Sequence, residues 1–227
     1  MHIGLIGGIG PAATVVYYQR LTALMRERQA KLELTIVQAS ADELVRNNLA
    51  DDRAAQTEVY KVLLHRLKDA GADCAAITSL GGHFCYRETE AVSPLPLVSG
   101  VTPLDSYFKA QGFMKVGLLG TKVVMQTGLY GQLTDTQSVN PGPELQCVAD
   151  AYIETATSGV CTPKARELFF DAGRSMVEDQ GADAVVLAGT DLGLAFDGYD
   201  PGYRVVDALD VHVAMLADLA SGRAQLN

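Results

Sequence analysis

Short apolar runs that end in glycine or serine recur along the chain, and they predict buried parallel strands. One run covers residues 2–8, and a close copy covers residues 115–121. A second pair covers residues 74–79 and 184–190, and each member follows the tripeptide Gly-Ala-Asp. Continuous aliphatic runs of this length are typical of strands that are covered on both faces. The members of the two pairs are 113 and 110 residues apart, which we interpret as an internal duplication.

Helices are predicted between these strands, where apolar residues recur every three or four positions. The predicted helices cover residues 14–30, 54–70, 164–180 and 205–220. The predicted buried face of the first helix consists of Val15, Tyr18, Leu21 and Met25. Gly71 and Gly181 each follow a predicted helix and fit the left-handed residue that commonly ends one. The last helix is expected to pack on the first half of the chain.

Strands that alternate with helices predict an α/β fold with parallel sheets and right-handed crossovers. We expect two similar Rossmann-like domains related by a pseudo-two-fold axis. The first domain is predicted to contain residues 1–98 and 208–227, and the second residues 99–207. Ligands of such sheets bind at the carboxyl ends of the strands. The predicted binding segments are therefore those that end at residues 8, 79, 121 and 190.

The acidic composition argues against two classes of partner. The net charge is −9 at pH 7 and the pI is near 4.8, so the surface repels nucleic-acid phosphates and anionic lipid. The chain also lacks an uninterrupted run of about 18 apolar residues, the length that a membrane-spanning helix needs. We therefore expect neither a nucleic acid nor a membrane as a partner.

The cysteines and the first residues favour a cytoplasmic location. The opening segment lacks the basic region of a secretory signal, and Gly7 and Gly8 break its apolar run. No CxxC spacing is present, so the cysteines are expected to be reduced thiols. They are Cys74, Cys85, Cys147 and Cys161.

The binding segments, taken in order, resemble the cofactor-independent aspartate/glutamate racemase family. Residues 4–14, followed by two tyrosines, resemble the first loop and helix of that family, and residues 40–42 resemble its Ser-Val-Asp stretch. Residues 117–121 resemble the opening of its second domain. The resemblance covers nearly the whole chain. It implies an isomerase-type enzyme without cofactor or metal, a small amino acid or carboxylate as substrate, a homodimer, and a site in the cleft between the two domains.

Two departures from the family pattern change the expected chemistry. The family segment Cys-Asn-Thr-x-His reads Ser79-Leu80-Gly81-Gly82-His83 here, and Gly-Cys-Thr-Glu reads Ala188-Gly189-Thr190-Asp191. The resemblance thus places Ser79 and Gly189 where the family has its two catalytic cysteines. A tuned thiol exchanges a proton near neutral pH, whereas a serine hydroxyl is far less acidic and glycine carries no proton. Conventional two-cysteine racemisation is therefore not expected.

The resemblance also implies the site residues. The catalytic candidates are Ser79, His83 and Asp191. The substrate-binding candidates are Gly8, Gly81, Gly82, Thr121, Gly189 and Thr190. We expect the glycines at 81, 82 and 189 to leave the site roomier and less polar than in the family.

Each candidate also has a structural interpretation. The Ser79 hydroxyl is a catalytic group, a substrate donor or a small strand-end residue. His83 is an acid/base or a residue bonded to the backbone, and Asp191 is a base, an orienting group or a favourable charge at a helix start. Thr190 fits either a carboxylate donor or a helix cap. Cys85 is expected to face the core, as free cysteines usually do.

Several functions remain open from the sequence. The first is a racemase-like enzyme, whose chemistry includes related lyase, decarboxylase or isomerase steps. The second is a catalytically inactive homologue that binds a small carboxylate. The third is a nucleotide-using oxidoreductase, but residues 7–10 fail the GxGxxG spacing and fit better a tight turn whose amides approach a carboxylate.

Overall fold

The computed structural model describes residues 1–226, and they divide into two compact units. Unit 1 contains Met1–Gly100 together with the chain from Asp210 onward, and unit 2 contains Val101–Leu209. Asn227, which the sequence analysis assigned to the first domain, lies outside the described residues.

Each unit is built on one parallel four-stranded sheet. The strands are β1 His2–Gly7, β2 Glu33–Gln38, β3 Cys74–Ile77, β4 Leu97–Val98, β5 Lys115–Leu119, β6 Gln137–Val139, β7 Ala184–Leu187 and β8 Val205–Asp207. The strand order is β2-β1-β3-β4 in unit 1 and β6-β5-β7-β8 in unit 2. The predicted α/β class with parallel sheets is confirmed.

Helices connect successive strands in both units. They are α1 Pro11–Glu27, α2 Ala41–Leu49, α3 Arg53–Asp69, α4 Tyr86–Val92, α5 Leu104–Ala110, α6 Lys122–Gly131, α7 Leu145–Ser158, α8 Pro163–Glu178, α9 Gly193–Phe196 and α10 Ala208–Ala220. Short 3₁₀ helices cover Gly81–Cys85, Gly142–Glu144 and Thr190–Leu192.

The two sheets repeat the same register, which supports the predicted duplication. In unit 1, Ile3 on β1 pairs with Cys74 on β3, and in unit 2, Val116 on β5 pairs with Ala184 on β7. Val116 lies 113 residues after Ile3, and Ala184 lies 110 residues after Cys74, the same offsets as in the sequence repeats. Strand order and register therefore agree with a single ancestral βαβ-type unit that occurs twice.

The repeated Gly-Ala-Asp tripeptide has a structural reason. Asp73 Oδ2 accepts a hydrogen bond from the His2 amide at 2.7 Å, and Asp183 Oδ2 accepts one from the Lys115 amide at 2.9 Å. Each aspartate thus binds the start of the neighbouring strand. The preceding glycines have φ values of +86° and +71°, which confirms their predicted left-handed conformation.

The predicted buried face of α1 was partly wrong. Tyr17, Leu21 and Met25 are buried, whereas Val15 and Tyr18 are 54% and 51% exposed. Two helical series overlap in this segment, since Leu21 and Met25 belong to both. The buried series contains Tyr17, whose ring contacts His212 on the last helix, and periodicity alone does not distinguish the two. The helix also begins at Pro11, three residues before its predicted start.

The final predicted helix is a strand and a helix. Val205–Asp207 forms β8, which pairs with β7 through Val205 and Val185, and α10 begins only at Ala208. Two successive β-branched valines favour the extended conformation. The other part of the prediction is confirmed, because α10 contacts α1 of unit 1 through an ion pair of Asp210 with Arg20.

Candidate active site

Ser79 lies directly beyond β3 and caps the segment that follows. Its Oγ atom accepts a hydrogen bond from the Gly82 amide at 3.3 Å, and its carbonyl oxygen lies 3.1 Å from the same nitrogen. The side chain is buried, at 5% exposure. The hydroxyl oxygen therefore already stabilises the start of the Gly81–Cys85 3₁₀ helix.

His83 has both ring nitrogens bonded to the backbone. The Gly100 amide donates to Nε2 at 3.0 Å, so Nε2 is an acceptor and the proton resides on Nδ1. Nδ1 in turn donates to the Ser79 carbonyl at 2.8 Å. Burial lowers the pKa of His83 to about 4, so the ring is neutral at physiological pH. The geometry favours the backbone-bonded interpretation of this residue over an acid/base role.

A second buried histidine extends this network. His212 on α10 donates from Nε2 to the Val98 carbonyl at 3.2 Å, and its Nδ1 accepts from the Tyr17 hydroxyl at 2.8 Å. Burial and the proximity of His83 lower its pKa to about 3. His83 thus connects the loop after β4 to the turn that contains Ser79, and His212 connects β4 to α1. The sequence analysis assigned no role to Tyr17 or His212, whose contact spans 195 residues.

Two threonines fix the carboxyl ends of β1 and β3. Thr78 donates to the Ile6 carbonyl at 3.0 Å, which uses its only proton. Thr14 on α1 therefore donates to the Thr78 hydroxyl, at 2.9 Å. Gly8 lies between these elements, and a Cβ there would collide with the Leu44 side chain. The first loop is thereby held close to the end of β3.

The expectation of a roomier site at Gly81 and Gly82 is wrong at Gly82. A Cβ at position 82 would collide with the Tyr60 hydroxyl and lie 3.1 Å from Ile77 Cγ2. The carbonyl of Gly81 accepts a hydrogen bond from Asn48 Nδ2 at 2.9 Å. The space released by the missing side chain is therefore occupied by Tyr60, a fully buried residue of α3.

The thiols lie outside any activating environment. Cys85 is buried, and its Sγ lies 3.6 Å from Thr89 Oγ1 and 3.8 Å from the Gly82 carbonyl, which confirms the expected core position. Burial raises the pKa of Cys85 and Cys161, and it raises that of Cys74 to about 11. All four cysteines are free, as predicted. These three thiols remain protonated at neutral pH.

Thr121 opens α6 in unit 2 as a helix cap. Its Oγ1 accepts a hydrogen bond from the Val124 amide at 3.5 Å, and the residue is buried. The end of α6 turns left-handed, with φ values of 60°, 55° and 63° at Gly128, Leu129 and Tyr130. A left-handed conformation costs a non-glycine residue about 1–2 kcal/mol, and the sequence did not indicate this turn.

Gly189 is covered by the aromatic ring of Tyr152. A Cβ at position 189 would collide with Cε2 of that ring and lie 2.6 Å from Cζ and 2.9 Å from Cδ2. The φ of Gly189 is −113°, so the backbone itself does not require glycine. Glycine is required at this position because the ring of Tyr152 leaves no room for a Cβ atom. The predicted extra room at position 189 is therefore filled by a residue of α7 that the sequence analysis did not identify.

Tyr152, Thr190 and Asp191 form a buried polar group at the carboxyl end of β7. All three are at most 2% exposed. The Tyr152 phenol lies beside the Thr190 hydroxyl and beside Asp191, and its pKa is raised by burial and by the Asp191 charge. Within residues 1–226, neither the Tyr152 nor the Thr190 hydroxyl makes a hydrogen bond of normal geometry. The raised pKa keeps the phenol protonated at neutral pH.

The structure groups the predicted residues by turn and adds supporting residues that the sequence analysis did not identify. The predicted residues of unit 1, Ser79, Gly81, Gly82 and His83, lie together on the turn after β3. Those of unit 2, Gly189, Thr190 and Asp191, lie together on the turn after β7. Tyr60 and Tyr152 were missed because they are distant in sequence. The glycines at positions 82 and 189 were the one sequence signal that a large side chain packs against each turn.

Structural comparison defines the class of protein. The chain superposes on a candidate Asp/Glu racemase from Yersinia pestis with a TM-score of 0.81 and 24% identity, covering 97% of this chain and 99% of that one. For an aspartate racemase homologue from Pyrococcus horikoshii, the TM-score is 0.78 and the identity 26%, with the same coverage. For the aspartate racemase of Picrophilus torridus, the TM-score is 0.77 and the identity 19%, and the match covers 100% of this chain and 96% of that one. The fold is the two-domain racemase fold.

The family itself is shown by the sequence. The profile of the Asp/Glu/hydantoin racemase family matches residues 6–216, and the chain belongs to that family. Among the described residues, no cluster of His, Cys, Asp and Glu side chains suited to a metal ion occurs. No helix of residues 1–226 has the length and apolar character needed to cross a membrane.

Proposed function

We propose that this chain is a cofactor-independent enzyme that moves a proton on the carbon next to a carboxylate or carbonyl group of a small amino acid, carboxylic acid or hydantoin. We further propose that Asp191, and not a thiol, is its acid/base group. The observation that carries the proposal is the buried Asp191 beside two hydroxyls, on the turn after β7. Membership of the racemase family supports the reaction class.

The state of the thiols supports a reaction without cysteine. A thiol must ionise to remove a proton, and burial raises the pKa of Cys74, Cys85 and Cys161 instead of lowering it. Cys147 is exposed on α7. The Ser79 oxygen and both nitrogens of His83 are bonded to the backbone. We assign these two residues to positioning the turn, and we propose the buried carboxylate of Asp191 as the proton-transfer group.

A carboxylate base implies an activated substrate. A carboxylate is a weaker base than a thiolate, so it suits a carbon whose anion is stabilised by a second carbonyl. A hydantoin ring has such a carbon, because its reactive C–H bond lies beside an uncharged ring carbonyl. We propose that the backbone amides of the Thr190 turn in unit 2 bind the substrate oxygen. A homodimer and a cytoplasmic location stay predictions.

The experiment measures solvent-deuterium exchange by proton NMR. The purified chain is incubated in D₂O with aspartate, glutamate, methylmalonate and a 5-substituted hydantoin. We expect exchange of at least one activated compound, and a loss of about 10²–10⁴-fold in Asp191→Asn, the range of general acid–base catalysis. Cys147→Ser serves as the control and leaves the rate unchanged. Exchange that survives in Asp191→Asn contradicts the assignment of the base.

The inactive homologue is the second candidate. The engaged oxygen of Ser79 and the two engaged nitrogens of His83 favour it, because unit 1 then offers fewer free groups for chemistry. Calorimetric binding of malonate without exchange of any compound in the panel would support this candidate. Product analysis of the same mixtures distinguishes exchange alone from decarboxylation or elimination, since those reactions release CO₂ or a leaving group.

A further inference from the structure

The position of Tyr152 points to a role beyond packing. Its ring covers Gly189. A larger residue at position 189 would therefore collide with the ring. The phenol therefore stands where a side chain at the end of β7 would project. Within unit 2, the aromatic group that borders Asp191 is therefore a residue of the helix α7.

The hydroxyl of Tyr152 is buried without a normal hydrogen bond among residues 1–226. The neighbouring Thr190 hydroxyl has the same property. A buried hydroxyl that lacks a partner costs about 1–3 kcal/mol, and native proteins contain few such groups. Two of them beside one buried carboxylate define a group of two donors and one acceptor. Such a group is suited to a ligand that carries an oxygen acceptor next to an acidic C–H bond.

We propose that Tyr152 is a catalytic residue that donates its phenolic hydrogen bond to the substrate oxygen on which negative charge develops. This inference rests on the proposed function. In the forward step, the C–H bond breaks, Asp191 takes the proton, and the electron pair moves into the enolate oxygen. Tyr152 and Thr190 donate to that oxygen. In the reverse step, the enolate carbon takes a proton or a deuteron from Asp191 after exchange with solvent.

The alternative role of the phenol as an acid or base is less suited to this position. Burial and the Asp191 charge raise its pKa, so the phenol keeps its proton through the cycle. A neutral donor in a site without water stabilises a developing oxyanion more strongly than water does. The effect requires only that the hydroxyl be fixed, and the packing of the ring on Gly189 fixes it.

The test compares Tyr152→Phe with the wild-type protein and with a matched control. Phenylalanine keeps the ring over Gly189 and removes only the hydroxyl. The control is Tyr203→Phe, because the Tyr203 hydroxyl also lies against a glycine of unit 2, Gly173, and donates to the Phe170 carbonyl at 3.1 Å. Both variants are checked for folding by thermal unfolding. Each is assayed for deuterium exchange of the activated compounds and for calorimetric binding of malonate.

The expected result is a loss of about 10²–10³-fold in the exchange rate constant of Tyr152→Phe, the range for one oxyanion donor. Its KM should change less than threefold, and Tyr203→Phe should match the wild-type protein. An exchange rate within threefold of wild type in folded Tyr152→Phe overturns this inference and leaves the proposed function intact.

A wild-type protein that exchanges none of the compounds refutes the proposed function, and malonate binding then decides about Tyr152. A tenfold weaker affinity in Tyr152→Phe than in Tyr203→Phe supports the donor role toward a carboxylate. Equal affinities overturn it. Absence of both exchange and malonate binding in the wild-type protein overturns both proposals.

Discussion

The amide of Gly100 donates a hydrogen bond to Nε2 of His83 at 3.0 Å, which fixes the tautomer of a histidine that is 3% exposed. The ring then stacks on Tyr86, with centroids 5.3 Å apart and planes 2° apart. His83 is the residue of the segment 79–83 that matches the family pattern. The bond and the stacking assign it a structural role. His83 holds the loop after β4 against the turn after β3.

The buried histidines predict a pH-dependent stability. The pKa of His83 is lowered to about 4 and that of His212 to about 3, whereas unfolded histidine titrates near 6.5. Below pH 6.5 the two histidines bind protons in the unfolded state but not in the folded state. The free energy of unfolding therefore falls as the pH falls. We expect a loss of about 2 kcal/mol for each histidine between pH 7 and pH 5.

Urea unfolding at the two pH values measures this loss. His83→Gln is expected to remove about half of the pH dependence in this window. Carboxylates contribute little there, because most of them titrate below pH 5. Equal unfolding free energies at pH 7 and pH 5 would show that the two rings reach solvent or gain a proton in the folded protein.

The Tyr152 ring predicts that position 189 tolerates only glycine. Gly189→Ala should lower the free energy of unfolding by about 1–3 kcal/mol, the usual cost of overpacking. Adding Tyr152→Ala should remove the clash, so the two changes should couple in a double-mutant cycle. Gly8→Ala is the comparison, because its Cβ meets the end of the flexible Leu44 side chain. Additive effects at 189 and 152 would contradict the packing.

The same clash predicts that two restored cysteines do not restore racemisation. In Ser79→Cys with Gly189→Cys, the second thiol meets the Tyr152 ring. We expect measurable exchange of aspartate only after Tyr152→Ala is added. Exchange by the double variant alone, measured by NMR, would show that the ring moves aside.

Thiol alkylation distinguishes buried from accessible cysteines. N-ethylmaleimide should modify Cys147 fastest in the native protein, because it is exposed, and Cys161 more slowly, because burial raises its pKa. Cys74 and Cys85 should react only after unfolding. Mass spectrometry of tryptic peptides counts the adducts. Native-state alkylation of Cys85 would contradict its core position and return it to the list of candidate catalytic groups.

The sequence predicted the fold through features that depend on local pattern. Aliphatic runs, helical spacing and the two Gly-Ala-Asp tripeptides identified the α/β class and the repeat. Residues 205–207 were misassigned, because a three-residue strand beside a helix has too little periodicity of its own. The face of α1 was misassigned because Leu21 and Met25 fit both possible series.

The candidate site was predictable only where it is contiguous in the chain. Ser79 to His83 and Gly189 to Asp191 each belong to one turn, and the resemblance located them. Tyr152 lies 37 residues before Gly189 and was not found, because a packing contact between a helix and a turn leaves no periodic signal. A glycine without a positive φ is the one local trace of such a contact.

The measurement that tests the central claim most directly is the NMR exchange assay on the wild-type protein. The account predicts deuterium incorporation at the activated ring carbon of the hydantoin, and none above the buffer rate for L-aspartate or L-glutamate. The amino acids have weakly acidic α-protons, and burial raises the pKa of the Cys74, Cys85 and Cys161 thiols instead of ionising them. Rapid exchange of either amino acid, with loss of optical rotation, would contradict the claim that this family member works without the two-thiol reaction.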